Sequence, residues 1–238
     1  MIRQRWLLFV TIMGLILHLS NCVSNKSVGL SAPTQTSKPY LDTRQIIPGK
    51  LQAEFFDLGG EGIAYHDVDS TNSGSGGLNP ADGTVLNEFR IHEAVDISYT
   101  KVDDRHIDNN PFNLVDPEKD QLYVGWTEPG EWTRYSVKVE KTGAYQVGLM
   151  YTSQRGGRIS VSENGIDLTG QMDVLSTFNA ADSIQWRNWH HWNFADSLGS
   201  LELKAGQHIL QLNTVSEGNM NYNYLVFTLL NPESNKTN

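Results

Sequence analysis

The 238-residue chain has one cysteine, Cys22, and shows no phosphate-binding glycine loop, no nucleophile elbow, no HExxH-type zinc motif and no internal repeat. A single thiol excludes an intrachain disulfide, so stability has to come from an apolar core or a bound metal. The missing motifs remove the usual sequence handles for nucleotide, acyl-transfer and zinc-hydrolase chemistry. Sustained helical periodicity is also absent, which excludes helical bundles. Positive charge is scarce, with 18 Lys and Arg against 27 Asp and Glu and a net charge of −9. Residues 1–50 carry five more basic than acidic side chains and residues 231–238 are balanced, so residues 51–230 hold −14. A surface of that sign repels phosphate backbones and anionic lipid, which excludes nucleic acid as a partner and disfavours a heavily sulfated polymer unless a site is locally basic.

The chain opens on MIRQRWLLFVTIMGLILHLSNC, in which Arg3 and Arg5 precede an apolar run at 6–17. A run of about 12 residues is too short for a membrane span, which needs roughly 20, and reads as a signal peptide over 1–21. Leu19-Ser20-Asn21-Cys22 resembles a bacterial lipobox, although Asn21 replaces the usual small residue. On that resemblance Cys22 is the lipidated first residue of an exported protein, tied to the cell envelope, at the outer membrane or cell surface, by its lipid alone. Residues 22–47 are rich in Ser, Thr and Pro and read as a flexible tether. Residues 48–230 form the domain and 231–238 a tail.

Within the domain, short runs with period-two alternation recur at 51–56, 95–99, 134–139, 145–151, 158–162, 198–203, 208–213 and 223–229. Turn signals separate them, and Asn164-Gly165 between RISVSE and IDL fits a two-residue hairpin turn that needs positive φ at both positions. Many strands with tight turns predict an all-β antiparallel sandwich, a jelly roll. One long inserted loop region, 69–121, interrupts the pattern, with only 89–99 resembling strand.

The segment QWRNWHHWN, residues 185–193, sets Trp186, Trp189 and Trp192 among Arg187, Asn188, His190 and His191. Read as a strand, it would turn Trp186 and Trp189 to opposite sides, and the adjacent His190 and His191 likewise could not chelate one ion together. Trp192, leading into the next alternating run, is the core candidate. Trp126 sits at a loop edge in YVGWTEPGEWTRYSVKV, while Trp132 begins a strand and reads as half core. A large apolar ring left in water suggests a ligand.

The ordered set LQAEFF, YVGWTEPGEWTRYSVKV, TGAYQVGLMY, RISVSENG, the tryptophan-rich segment, SLELKAGQHILQL and NYNYLVF resembles family 6 carbohydrate-binding modules over about residues 48–230. GEGIAYHDVDSTNSG and FRIHEAVDI are similar to segments of longer members. The resemblance implies a non-catalytic β-jelly roll that binds a glycan in loops at one end and holds structural calcium. It implies that Trp126 and the WRNW segment, through Trp189 ahead of Trp186, clasp a sugar ring, and that Asn221 hydrogen-bonds sugar hydroxyls. Glu131, Tyr65 and His66 are further ligand-binding candidates in the similar segments. Gln52, Glu54 and Asn223 match the calcium ligands, Asn223 standing where aspartate is usual. The implied partner is a neutral poly- or oligosaccharide, captured beside separate glycan-degrading enzymes or transporters.

This reading agrees with the residue chemistry. A sugar presents an aliphatic face rimmed by hydroxyls, matched by an aromatic plane rimmed by amides and carboxylates. Gln, Glu and Asn all supply the oxygen ligands that calcium takes. Two alternatives stand beside it. A glycoside hydrolase or lyase would need paired carboxylates, for which Glu54, Asp67, Glu93, Asp96, Glu128 and Glu131 are nominees. A structural or protein-binding sandwich would need neither.

Overall fold

The computed structural model describes residues 36–231. The expected signal peptide, Cys22 and residues 232–238 of the expected tail lie outside the described residues. Thirteen strands form among them: β1 Gln45–Ile47, β2 Gly49–Gln52, β3 Tyr65–His66, β4 Ile97–Tyr99, β5 Leu122–Val124, β6 Trp132–Val139, β7 Gly143–Ser153, β8 Gly157–Glu163, β9 Ile166–Asp167, β10 Met172–Val174, β11 Asn193–Leu203, β12 Gly206–Ser216 and β13 Met220–Leu229. One sheet runs β1-β6-β12-β8-β10, with β3 added to β6 and β9 to β8; the other runs β11-β7-β13-β5-β4, with β2 added to β13. Every pair is antiparallel except β1 with β6. The fold is the expected all-β sandwich.

The alternating runs form the long strands because their apolar members share one face. Val137, Ile159, Val161, Leu210 and Leu212 from the first sheet meet Val147, Leu149, Leu201, Leu225 and Phe227 from the second in one core. The β8–β9 hairpin turns at Asn164 and Gly165, with φ of 51° and 78°, as the Asn-Gly pair requires.

Two boundaries differ from the sequence reading. The expected tether overlaps the folded domain, because residues 37–47 are packed. Lys38 and Leu58 exchange backbone hydrogen bonds at 2.9 and 2.7 Å, Tyr40 stacks on Phe55 at 5.2 Å, and Ile47 is fully buried in β1. Local composition could not show this, since each partner of those residues lies elsewhere in the chain. In the insertion, the stretch 89–99 is strand only at β4, preceded by a single helical turn at Val85–Glu88.

The insertion holds Trp192 against part of the outer face of the second sheet. All three residues of β5 are buried: Leu122 and Val124 join the main core, while Tyr123, pointing the other way, joins Met150 and Trp192 in a second cluster. Backbone N–H groups of Leu114 and Val115 donate to the Trp192 carbonyl at 2.8 and 3.1 Å, and the Trp192 N–H donates to Asn113 Oδ1 at 3.0 Å. Trp192 is the core residue the sequence nominated, with 0% exposure.

Candidate functional site

Residues 185–189 form consecutive turns instead of a strand, with Arg187 N–H donating to Ile184 O at 3.0 Å and His190 N–H to Arg187 O at 2.8 Å. A three-residue repeat places positions i and i+3 on the same side. Trp186 and Trp189 therefore line one cavity together, which corrects the opposed placement expected from strand alternation. Trp186 is 61% exposed and Trp189 8%.

Trp126 completes the aromatic lining of this cavity of about 460 Å³, with Leu78, Ile107 and Tyr123 adding apolar wall. Its backbone φ is 47°, a left-handed conformation that is unusual for a bulky residue and costs on the order of 1–3 kcal/mol. The Trp126 N–H is held by Asn221 Oδ1 at 3.0 Å. Asn221 Nδ2 in turn donates to Thr152 Oγ1 at 2.7 Å and to His190 Nδ1 at 3.0 Å. Asn221 is fully buried, so its amide is spent positioning Trp126 and His190 and does not line the cavity.

Behind the platform lies a buried network. Asp108 Oδ1 accepts from His190 Nε2 at 2.8 Å and from Trp192 Nε1 at 2.6 Å, while Oδ2 accepts from the Lys101 backbone N–H at 2.6 Å. Burial by itself would raise Asp108, but His190 beside it and these three donors hold the carboxyl below its ordinary value. Arg187 clamps Asp182 through Nε and Nη2 at 2.7 and 2.9 Å, and its Nη1 donates to His106 O at 3.0 Å. Those hydrogen bonds from Arg187, helped by His191, keep Asp182 well below the usual carboxylate range. The two histidines thus serve separate carboxylates, His190 with Asp108 and His191 with Asp182. At the cavity, Lys101 and Arg105 contribute the cationic groups and no Asp or Glu lines it.

The remaining ligand-binding candidates lie elsewhere. Tyr65 is 5% exposed, packs edge-on against Phe56 at 5.6 Å and belongs to the core, because β3 pairs with β6 and turns that side chain inward. His66 and Glu131 line a narrow second cavity of about 20 Å³ with Asp67, Asp96 and Trp132. They share no wall with the tryptophan cavity. Lys101, Arg105, Ile107 and Leu78 come from the insertion and were missed by sequence reasoning. The only sequence signal was that a loop of this length is commonly functional.

The expected calcium ligands can be tested against their surroundings. Register pairs Gln52 with Tyr224, next to Asn223, and Glu54 sits in the turn Ala53–Phe55 that contacts β13 and β5. Gln52 Oε1, Glu54 Oε2 and Asn223 Oδ1 are each buried without a hydrogen-bond partner. Burial pushes the Glu54 carboxyl up to about 8. Three orphaned oxygens of the type a hard cation takes fit calcium. The set includes one carboxylate, and among the described residues no group of three or more His, Cys, Asp or Glu side chains could hold a metal.

The family model described as carbohydrate binding module (family 6) matches residues 108–229, just over half of the chain. No curated protein matches the sequence. Similar solved structures include a β-1,3-glucan-binding CBM6 from Bacillus halodurans, 15% identical over 78% of this chain and 98% of that one with a TM-score of 0.46. CsCBM6-3 from Clostridium stercorarium, in complex with cellobiose, is 16% identical over 79% and 98% with a TM-score of 0.43. CBM6cm-2 of Cellvibrio mixtus lichenase 5A, in complex with cellotriose, is 20% identical over 46% and 79% with a TM-score of 0.36. With the family model spanning the end of the insertion, the tryptophan-rich turn and the strands through β13, the chain belongs to the family 6 carbohydrate-binding modules.

Proposed function

We propose that this module binds a poly- or oligosaccharide without cleaving it, by stacking sugar rings on Trp126, Trp186 and Trp189. The observation that carries the reading is the convergence of three tryptophans from two distant segments on one cavity that no carboxylate lines. Each stacked ring contributes on the order of 1–3 kcal/mol, by analogy with bases on aromatic side chains. Asn221, His190 and Asp108 hold the platform in place ahead of binding, which reduces the ordering cost on association. The carboxylates that a hydrolase would need, Asp67, Asp96 and Glu131, converge instead on a space fit for one water. The structures named above bind, by their descriptions, β-1,3-glucan, cellobiose and cellotriose, which supports the same ligand class here.

Calcium, in this proposal, is held by Gln52, Glu54 and Asn223. Bound there it supplies positive charge that joins the first strands of the domain to the last.

A glycan array with the full chain tests the main reading, followed by affinity measurements on the best-binding glycan. Trp126→Ala and Trp186→Ala should each weaken binding by about tenfold or more with unchanged thermal unfolding, whereas His66→Ala should stay within about twofold. In cells, Cys22→Ser should move the same binding activity from the membrane to the soluble fraction. Normal binding by both tryptophan variants, or sugar release by the purified chain, would sink the proposal.

A further inference from the structure

The turn at 185–189 is a ridge with two equipped sides. Trp186 and Trp189 face the aromatic cavity, while Gln185 and Asn188, also three apart, line a separate open groove of about 910 Å³. The ridge is held from both flanks. Arg187 is fixed by Asp182 and His106, Asn179 N–H donates to Asn188 O at 2.8 Å, and Thr177 Oγ1 donates to Trp189 O.

The far wall of the groove carries what a sugar needs. Thr177 points inward and is buried, which leaves its neighbour Phe178 pointing outward with 51% exposure. Gln154, Gln185 and Asn188, which carry amide side chains, line the same groove. Gln154 is oriented by Asn219, whose Nδ2 donates to Gln154 Oε1 at 3.1 Å. The groove's one cation, Arg155, lies 3.8 Å from Glu217, so the two charges offset each other. An exposed aromatic ring in a groove lined by amide-bearing residues, with no net charge, matches the aliphatic faces and hydroxyls of a neutral sugar.

We infer that this groove is a second sugar subsite, and that a neutral oligosaccharide crosses the Trp186 ridge to occupy both spaces. The inference rests on the aromatic-cavity reading. It adds that affinity rises with chain length, because a ring already held at Trp126 and Trp189 presents its neighbours to Phe178 at high effective concentration.

The test is calorimetric titration of the full chain with β-1,3-gluco-, β-1,4-gluco-, xylo- and manno-oligosaccharides of two to six units. In any series that binds, wild-type affinity should rise about tenfold or more between the shortest and longest members. Phe178→Ala and Asn188→Ala should each flatten that rise to about threefold or less while leaving disaccharide affinity unchanged. Phe178 is exposed, so its removal leaves the fold intact, and thermal unfolding verifies this. A rise that survives in both variants overturns the groove and spares the aromatic cavity. Loss of disaccharide binding in the variants also overturns it, since the groove residues would then only shape the first site. If wild type binds none of the four series, the aromatic-cavity reading and the groove fall together.

Discussion

Residues 125–127 separate two cavities of opposite character. On one side Trp126 joins Trp186 and Trp189 around an open, largely apolar space that no carboxylate lines. On the other, Gly125 and Thr127 line a hole large enough for about one water, into which Asp67, Asp96, Glu131 and His66 converge. Both sides use side chains to fix backbone, a buried one on the aromatic side and partly buried ones on the acidic side. Asn221 accepts the Trp126 N–H, Asp96 accepts the Ser73 N–H, and Glu131 accepts those of Val68 and Glu128. Only the aromatic side leaves a broad face open once its backbone is fixed. The acidic side spends its polar groups holding the loop at 67–74, so a carboxylate there is first a loop anchor. Two sites next to each other in sequence motif can thus divide the labour of recognition and scaffolding.

The largest expected effect comes from removing the support of the aromatic side. Asp108→Ala orphans three buried donors, the Lys101 N–H, Trp192 Nε1–H and His190 Nε2–H. At about 1–3 kcal/mol for each unsatisfied group, with incomplete additivity, the loss should be at least about 3 kcal/mol. Urea unfolding measures it. A loss below about 1 kcal/mol would show that the platform stands without its network and that the two cavities are not scaffolded alike.

Much of the comparison was hidden from the sequence, for identifiable reasons. Strands β6, β7, β8, β12 and β13 were legible because alternation survives wherever one sheet face meets the core. β5 was not, because Trp192 and Met150 pack on its outward-facing Tyr123 and all three residues are buried. Trp126, Trp186 and Trp189 were legible as unusual rings. Their meeting at one cavity was not, since it depends on a three-residue turn period that Trp-Arg-Asn-Trp does not announce. Tyr65, His66 and Glu131 travelled with Trp126 in the family motifs, yet strand pairing sends Tyr65 to the core and the other two across the loop. The tether boundary was misplaced because the contacts that hold residues 37–47 in the domain, Lys38 with Leu58 and β1 with β6, join them to later parts of the chain.

The next effect in size concerns the calcium proposed at Gln52, Glu54 and Asn223, which lies apart from both cavities. At calcium about 100-fold above its dissociation constant, a ligand of the native state alone adds about 2.7 kcal/mol, worth roughly 5–10 °C in Tm for a domain of this size. Chelator should lower the Tm by that amount, and Glu54→Gln should abolish the difference. The same chelator should leave glycan affinity within about twofold if calcium serves the scaffold alone. Superimposable melting curves would remove calcium from the account, and a large loss of affinity at temperatures where the protein stays folded would tie calcium to the aromatic side.

The smallest effect separates the two cavities by pH. Burial pushes Asp67 up to about 6, Asp96 to about 7 and Glu131 to about 8, with backbone hydrogen bonds opposing each rise and the neighbouring carboxylates adding to it. Between about pH 4 and pH 8 the folded protein therefore binds more protons at this cluster than the unfolded chain does. Stability falls with rising pH wherever the native state is the better proton binder. The contribution is fully present below about pH 4, declines as pH rises through the three folded values, and is exhausted above about pH 8. Asp96→Asn removes one of these groups and keeps a side-chain oxygen to accept the Ser73 N–H. Unfolding free energy measured from pH 5 to pH 8.5 should fall less steeply in this variant than in wild type. Its glycan affinity at pH 7 should stay within about twofold of wild type, because Asp96 lies outside the aromatic cavity. An unchanged slope would mean that the cluster titrates as solvated acids do, and a lost affinity would mean that the acidic side takes part in recognition after all.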